Sequence, residues 1–260
     1  MKLLPQPRLL EARVGQTWLR AGFRFFHRQP LAWTLILFIY WASMLMLAFI
    51  PLFGAIVPLL LSPGLALGFI EVARAVDEKR PPSPPLLISA FRSDKAKSIL
   101  ILGGWYAAEI LAILLVSSIF DGGVLVQWIT TGTPPQGEEV QSMRIAAGVS
   151  IVLYIPVLMA FWFAPQLVMW SDFAPTKALF YSFFAVWRNK GAFSRYLLTW
   201  VGLTVLLGAV LALLGQTLSV EPGAVTAFMF PITLILMAVA HGSFYQSTKD
   251  VFGDDETVLP

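Results

Sequence analysis

LAWTLILFIYWASMLMLAFIPLFGAIVPLLLSPGLALGFI, residues 31–70, is forty residues long and carries no acidic or basic side chain. An apolar helix needs only about 20 residues to cross the hydrocarbon layer of a bilayer. With Pro51 near its middle, the run reads as two antiparallel spans joined by a tight turn. Three more charge-free stretches, Ile145–Ser171, Tyr196–Val220 and Pro222–Thr248, are each long enough to cross, and Ser98–Phe120 is interrupted only by Glu109. The expected fold is therefore an all-α bundle of six membrane spans.

The composition agrees with lipid as the solvent: 57% of residues are hydrophobic, 13% are charged, and the mean hydropathy is +0.74. Six spans leave too little chain for a separate soluble domain, so residues 1–260 are expected to form a single membrane domain, with 251–260 an acidic cytoplasmic tail and the acidic DVFGDDET segment, Asp250–Thr257, solvated. The absence of cysteine removes disulfides, thiol nucleophiles and thiolate metal sites.

The basic residues are distributed one-sidedly. Of the 18 Lys and Arg, 17 lie before the first span, in the connections after spans two and four, or after span six, and Arg144 alone falls on the opposite side. The positive-inside rule then places both termini in the cytoplasm. The Arg-rich N-terminus is read as retained, because the apolar run that follows is a full hairpin and not the short core of a cleaved signal.

Aligning Phe23, Phe91 and Phe184 reveals one amphipathic pattern ahead of spans one, three and five. Trp18, Leu19, Gly22, Phe23 and Phe26 fall at the same offsets as Leu179, Phe180, Phe183, Phe184 and Trp187. That spacing forms one helical stripe. The middle copy keeps Leu86, Leu87, Ala90 and Phe91 but has Asp94 at the last position, which predicts a shorter or shallower helix. Pro63 precedes Pro82 by 19 residues, as Pro156 precedes Pro175. The predicted unit is an interfacial helix plus a two-span hairpin, used three times over approximately 8–75, 82–170 and 175–250, with the outer loop Asp121–Met143 as an insertion. Trp18, Phe23, Phe26, Phe91, Phe184 and Trp187 are the expected headgroup anchors, since aromatic faces beside Arg20, Arg24 and Arg28 suit an anionic membrane surface. Small residues four apart, such as Gly64 and Gly68, or Gly104, Ala108 and Ala112, predict close helix crossings.

Catalytic signatures are missing: there is no HExxH, GxSxG, P-loop or GxGxxG motif, and His27 and His241 are too few for a histidine metal triad. An enzyme is not expected, and neither a cofactor nor a metal nor nucleic acid is an expected partner. One ionisable residue stands out. Glu109 lies twelve residues beyond Lys97, about 18 Å along a helix, near the middle of a ~30 Å hydrocarbon core. Acidic groups there are expensive and are functional candidates by default. Tyr154, Thr204 and Thr233 lie at similar depth as hydrogen-bond partners, with His241 nearer the cytoplasmic side, so Glu109, Tyr154 and His241 form the candidate ligand or proton set. Either a structural hydrogen bond or a proton- or ligand-linked role fits Glu109. Glu71 and Asp172, at span ends, read as surface carboxylates.

The repeat, the paired prolines and the segment WRNKGAF (187–193) ahead of span five resemble a family of uncharacterised bacterial multi-pass inner-membrane proteins. The resemblance implies a bacterial inner membrane and brings no activity or catalytic residues with it. Sparse polar lining favours a non-enzymatic protein that organises or assists other membrane components, with membrane lipids and a membrane-protein partner as its contacts. A transporter or channel for a small or lipidic molecule, working around Glu109, is the alternative.

Overall fold

The computed structural model describes residues 6–50, 53–217 and 222–253. It is all-helical, and six helical stretches are long and apolar enough to cross a membrane: Pro30–Ala48, Ile56–Asp77, Ala96–Asp121, Glu139–Ser171, Lys190–Thr217 and Met229–Phe252. In chain order the helices are α1 (Val14–Arg28), α2 (Pro30–Ala48), α3 (Phe53–Asp77), α4 (Ala96–Asp121), α5 (Val124–Thr131), α6 (Glu139–Phe161), α7 (Ala164–Ser171), α8 (Pro175–Arg188), α9 (Lys190–Thr217) and α10 (Pro222–Phe252). A 3₁₀ helix, Pro84–Arg92, stands between α3 and α4. A short helix precedes each odd-numbered span, at α1, at the 3₁₀ helix and at α8.

The core sits at one end of the bundle. In α3 burial begins at Pro63 and continues to Val76, and in α2 the buried residues are Trp33, Ile36 and Leu37, close to its basic N-terminal end. α4 buries Ile99, Leu102, Gly103 and Ala107, again near its basic start, while α10 buries Leu234 and residues beyond it. At the other end spans one and five stand apart, whereas Ser117 and Asp121 of α4, Leu125 of α5 and Ala146 of α6 stay buried. No side chain from Phe38 to Ile50 in span one, or from Leu197 to Thr217 in span five, is buried. The reason lies in the solvent: in lipid an apolar side chain needs no burial, so only close packing and hydrogen bonds hold spans together.

α1 lies along α10 and α9, and backbone meets backbone there. A Cβ at Gly22 would stand 2.1 Å from the Val239 carbonyl oxygen, and one at Gly15 would stand 2.0 Å from that of Ala192. The face of α1 turned to the protein is Gly15, Trp18, Leu19, Ala21, Gly22 and Phe25, leaving Arg20, Arg24 and Arg28 exposed.

The fourth span is broken. Pro165 has no N–H to give the Phe161 carbonyl, and its ring excludes a regular turn before it, so α6 stops at Phe161 and α7 starts at Ala164. Ser182 of α8 fills the gap: its hydroxyl accepts from the Phe163 N–H (2.9 Å) and donates to the Met159 carbonyl (2.8 Å), the two groups a continuous helix would join directly. A side chain inserted in the ladder is one of the recognised causes of a kink.

The loop inserted between spans three and four is partly structured. Asp121 turns both carboxylate oxygens to the start of α5, accepting from the Gly123 N–H at 2.8 Å and the Leu125 N–H at 2.7 Å. Gly122 and Gly123 take φ of +65° and +93°, which an L side chain would resist. At the C-terminus, α10 runs through Phe252 with Val251 fully buried. This corrects the expected tail boundary: Asp250, Val251 and Phe252 belong to the packed helix, because Val251 has a core to enter, and residues 254–260 lie outside the described residues.

Candidate functional site

Glu109 projects from α4 one turn beyond Tyr106, whose hydroxyl lies 3.1 Å from that of Tyr154 on α6. α4 and α6 pack along one another, with Ser62 of α3 beside Tyr106. Glu109 is partly buried, and its Oε2 is closed off from the surface without a hydrogen-bond partner. Glu109 thus carries a spare carboxyl oxygen one helical turn along α4 from a paired phenol, able to hold a proton or to meet a hydrogen-bond donor.

His241 is elsewhere. Its Nδ1 lies 2.8 Å from the Met237 carbonyl one turn back, and its ring rests 4.2 Å, centroid to centroid, from Phe69. Phe69 belongs to the cluster formed with residues of α1, α2 and α10, whereas Glu109 lies on the α4 and α6 side. Thr204 and Thr233 return their hydroxyls to their own helices, to the carbonyls of Trp200 (3.0 Å) and Met229 (2.9 Å). Of the candidate set, the structure groups Tyr154 with the Tyr106 neighbour of Glu109 and separates His241 from both.

The expected anchors divide into two kinds. Trp18 is fully buried, edge-on to Phe193 at 5.0 Å and Tyr196 at 5.7 Å, and its indole N–H donates to Asp250 at 2.8 Å. Phe91 turns inward, its ring against Gly64 of α3. Trp18 acts as a packing residue, because a group sealed in protein cannot reach headgroups, and Phe91 is half-buried. Phe23 is exposed and Phe26 half-buried on α1. On α8 the stripe faces outward: Phe180 is 63% exposed, Phe184 43% and Trp187 53%.

A polar layer at the basic end escaped the sequence reading. Asp77 accepts from the Tyr245 hydroxyl (3.1 Å) and from Lys249 (2.7 Å), with Arg28 at 3.8 Å, so it links α1, α3 and α10. Glu71 is no plain surface carboxylate, since it accepts the Trp170 indole N–H at 2.7 Å while Arg74 stacks over the same ring. Asn189, between α8 and α9, ties down the N-terminal segment. Its Oδ1 accepts from the Leu10 N–H (2.8 Å) and its Nδ2 donates to the Arg8 carbonyl (3.0 Å). Asp172 is exposed and pairs with Lys95, and that hydrogen bond holds the lysine above its ordinary range. Hydrogen bonds from Arg74 and Arg80 hold the Glu78 carboxyl below its own. Apart from the local Arg74, Glu78 and Arg80 group, these partners are separated by long stretches of chain, so no local motif marks them. Among the described residues no three of His, Asp and Glu gather as a metal site would require.

A probable inner membrane protein of Burkholderia thailandensis is 36% identical to the chain over 258 residues, covering 96% of this chain and 95% of that protein. No protein-family model matches the chain. No solved structure matches it either.

Proposed function

The chain belongs to the family of the Burkholderia thailandensis inner membrane protein, and from that premise we propose that it is a non-enzymatic inner-membrane protein that organises or assists other membrane components through the outer halves of its spans. The observation that carries this reading is span five, which leaves every side chain from Leu197 to Thr217 unburied while anchored at its basic end. A span with so much free lateral surface is available to neighbours in the membrane.

A second reading rests on Glu109, whose buried Oε2 has no hydrogen-bond partner and which lies one turn along α4 from the Tyr106 of the Tyr106–Tyr154 pair. That pattern would serve a transporter or channel for a small or lipidic molecule. One experiment separates the two. Proteoliposomes of the wild-type protein and of Glu109→Gln are assayed for proton and solute flux, and a photoreactive residue replacing Val205 on span five is irradiated in living cells. The organising role predicts no flux above protein-free vesicles and a discrete protein adduct at Val205. Flux that Glu109→Gln abolishes at equal folded yield would replace it with the transport reading.

The orientation follows from the 17-to-1 division of Lys and Arg. Because the chain lacks cysteine, single cysteines can be placed cleanly. Gln136→Cys is expected to react with an impermeant maleimide in intact spheroplasts and Lys190→Cys only after permeabilisation. The reverse pattern would invert the topology.

A further inference from the structure

α8 buries mainly small residues, Ala178, Ser182 and Ala185, together with Val186, keeps Leu179 and Tyr181 half-buried against the core, and turns Phe180, Phe184 and Trp187 away from the protein. That inverts the usual economy of an amphipathic helix, in which the bulky apolar face is the one buried in the core. Its depth explains the inversion. Ser182 is bonded at Met159 and Phe163, and Phe163 lies nineteen residues from Arg144. At 1.5 Å per residue that is about 28 Å, the far edge of a ~30 Å hydrocarbon layer measured from the single outer cation. The Phe180, Phe184 and Trp187 face therefore stands at the membrane boundary on the basic side.

The basic residues around this face belong to a stretch of sequence without acidic side chains. From Phe173 to Val220 the sequence has no Asp or Glu, but it has Lys177, Arg188, Lys190 and Arg195. Arg188 and Lys190 are exposed, at the end of α8 and the start of α9, and the Lys190 ammonium lies 5.5 Å from the Trp187 ring centroid. Phe183 stacks on Trp187 at 6.2 Å with the ring planes 10° apart, which fixes the indole at the rim of the aromatic face.

We infer that the outward face of α8 is a docking surface for anionic phospholipid of the surrounding leaflet, the aromatic rings lying among the glycerol groups and Arg188 and Lys190 meeting the phosphates. Aromatic rings favour the headgroup level, and cations near an anionic surface are drawn to it electrostatically. α1, which carries the aligned sequence stripe, differs in that Trp18 and Leu19 of its stripe are buried by docking on α9 and α10, leaving Phe23 exposed with Arg20, Arg24 and Arg28.

The test uses the full-length protein in nanodiscs of equal parts phosphatidylcholine and phosphatidylglycerol. A nitroxide on Phe184→Cys is expected to collide with oxygen and to be shielded from an aqueous nickel chelate. Native mass spectrometry of the wild type is expected to show preferential retention of phosphatidylglycerol. Arg188→Gln and Lys190→Gln each lower that preference about fivefold at low salt, and added salt lowers it in the wild type. Both side chains are exposed, so the variants keep the fold, which circular dichroism verifies. A label open to the nickel chelate, a preference unchanged in the double variant, or a label shielded from both quenchers because another protein covers it would each overturn the assignment.

Discussion

Gly103→Ala is expected to strip most of the folded protein from a detergent extract, whereas Gly104→Ala next to it leaves the yield unchanged or slightly raised. A Cβ at position 103 would lie 1.8 Å from the Leu60 carbonyl oxygen of α3, and one at 104 would meet nothing within 4 Å. The obstacle at 103 is backbone and cannot swing aside, so α3 and α4 must separate and loosen the packing around Ile99, Leu102 and Leu67. Overpacking of this kind costs roughly 1–3 kcal/mol, and a backbone obstacle belongs at the upper end. At 104 the alanine gains about 0.8–1 kcal/mol of helix propensity. Fluorescence-detected size exclusion after a heat step measures both. Equal melting temperatures for the two variants would show that α3 and α4 do not cross at Gly103.

Trp18→Ala carries the largest expected loss of stability, while Trp187→Ala changes it by no more than about 0.5 kcal/mol. The two tryptophans sit at opposite ends of the aligned stripes, but one is fully buried and the other more than half exposed. Truncating a buried tryptophan costs about 3–5 kcal/mol. The change also takes away the indole N–H that Asp250 accepts, leaving that carboxylate with Gln246 at 2.9 Å. Trp18→Phe restores part of the edge-on packing with Phe193 and Tyr196 but not the hydrogen bond, so it falls between the two. Unfolding in a mild detergent, followed by circular dichroism, ranks the three. Equal stability of the two alanine variants would mean that α1 is not docked on α9 and α10.

Much of the fold is legible in residues 31–70 and the four other apolar runs, because crossing a bilayer depends on length and the absence of charge within one continuous segment. The three short helices ahead of the odd-numbered spans are legible for a related reason, since amphipathic periodicity is also local. The choice of face is not. Phe23 and Phe184 occupy matching positions, yet the helix around Phe23 buries its large apolar residues and the helix around Phe184 exposes them. The spacing of Gly104, Ala108 and Ala112 marks a small-residue stripe, but all three are exposed and the crossing uses Gly103 and Ala107. The candidate site divides likewise. Glu109 is conspicuous in the sequence as a charge in an apolar run, while the pairing of Tyr106 with Tyr154 and the separation of His241 emerge only when α4, α6 and α10 are placed.

The sequence by itself determined six spans, a strongly basic end, the short helices that precede spans one, three and five, and a lone carboxyl at mid-depth. Each of these depends on residues within a few helical turns of one another and on lipid as the solvent. The tertiary structure decided that the core gathers at the basic end, that Ser182 mends the break at Phe163, and that Trp18 meets Asp250 across 232 positions of sequence. Those outcomes rest on backbone approach and hydrogen-bond geometry between distant segments. In a solvent as apolar as the side chains, hydrophobicity places helices in the membrane but does not choose which of their faces meet.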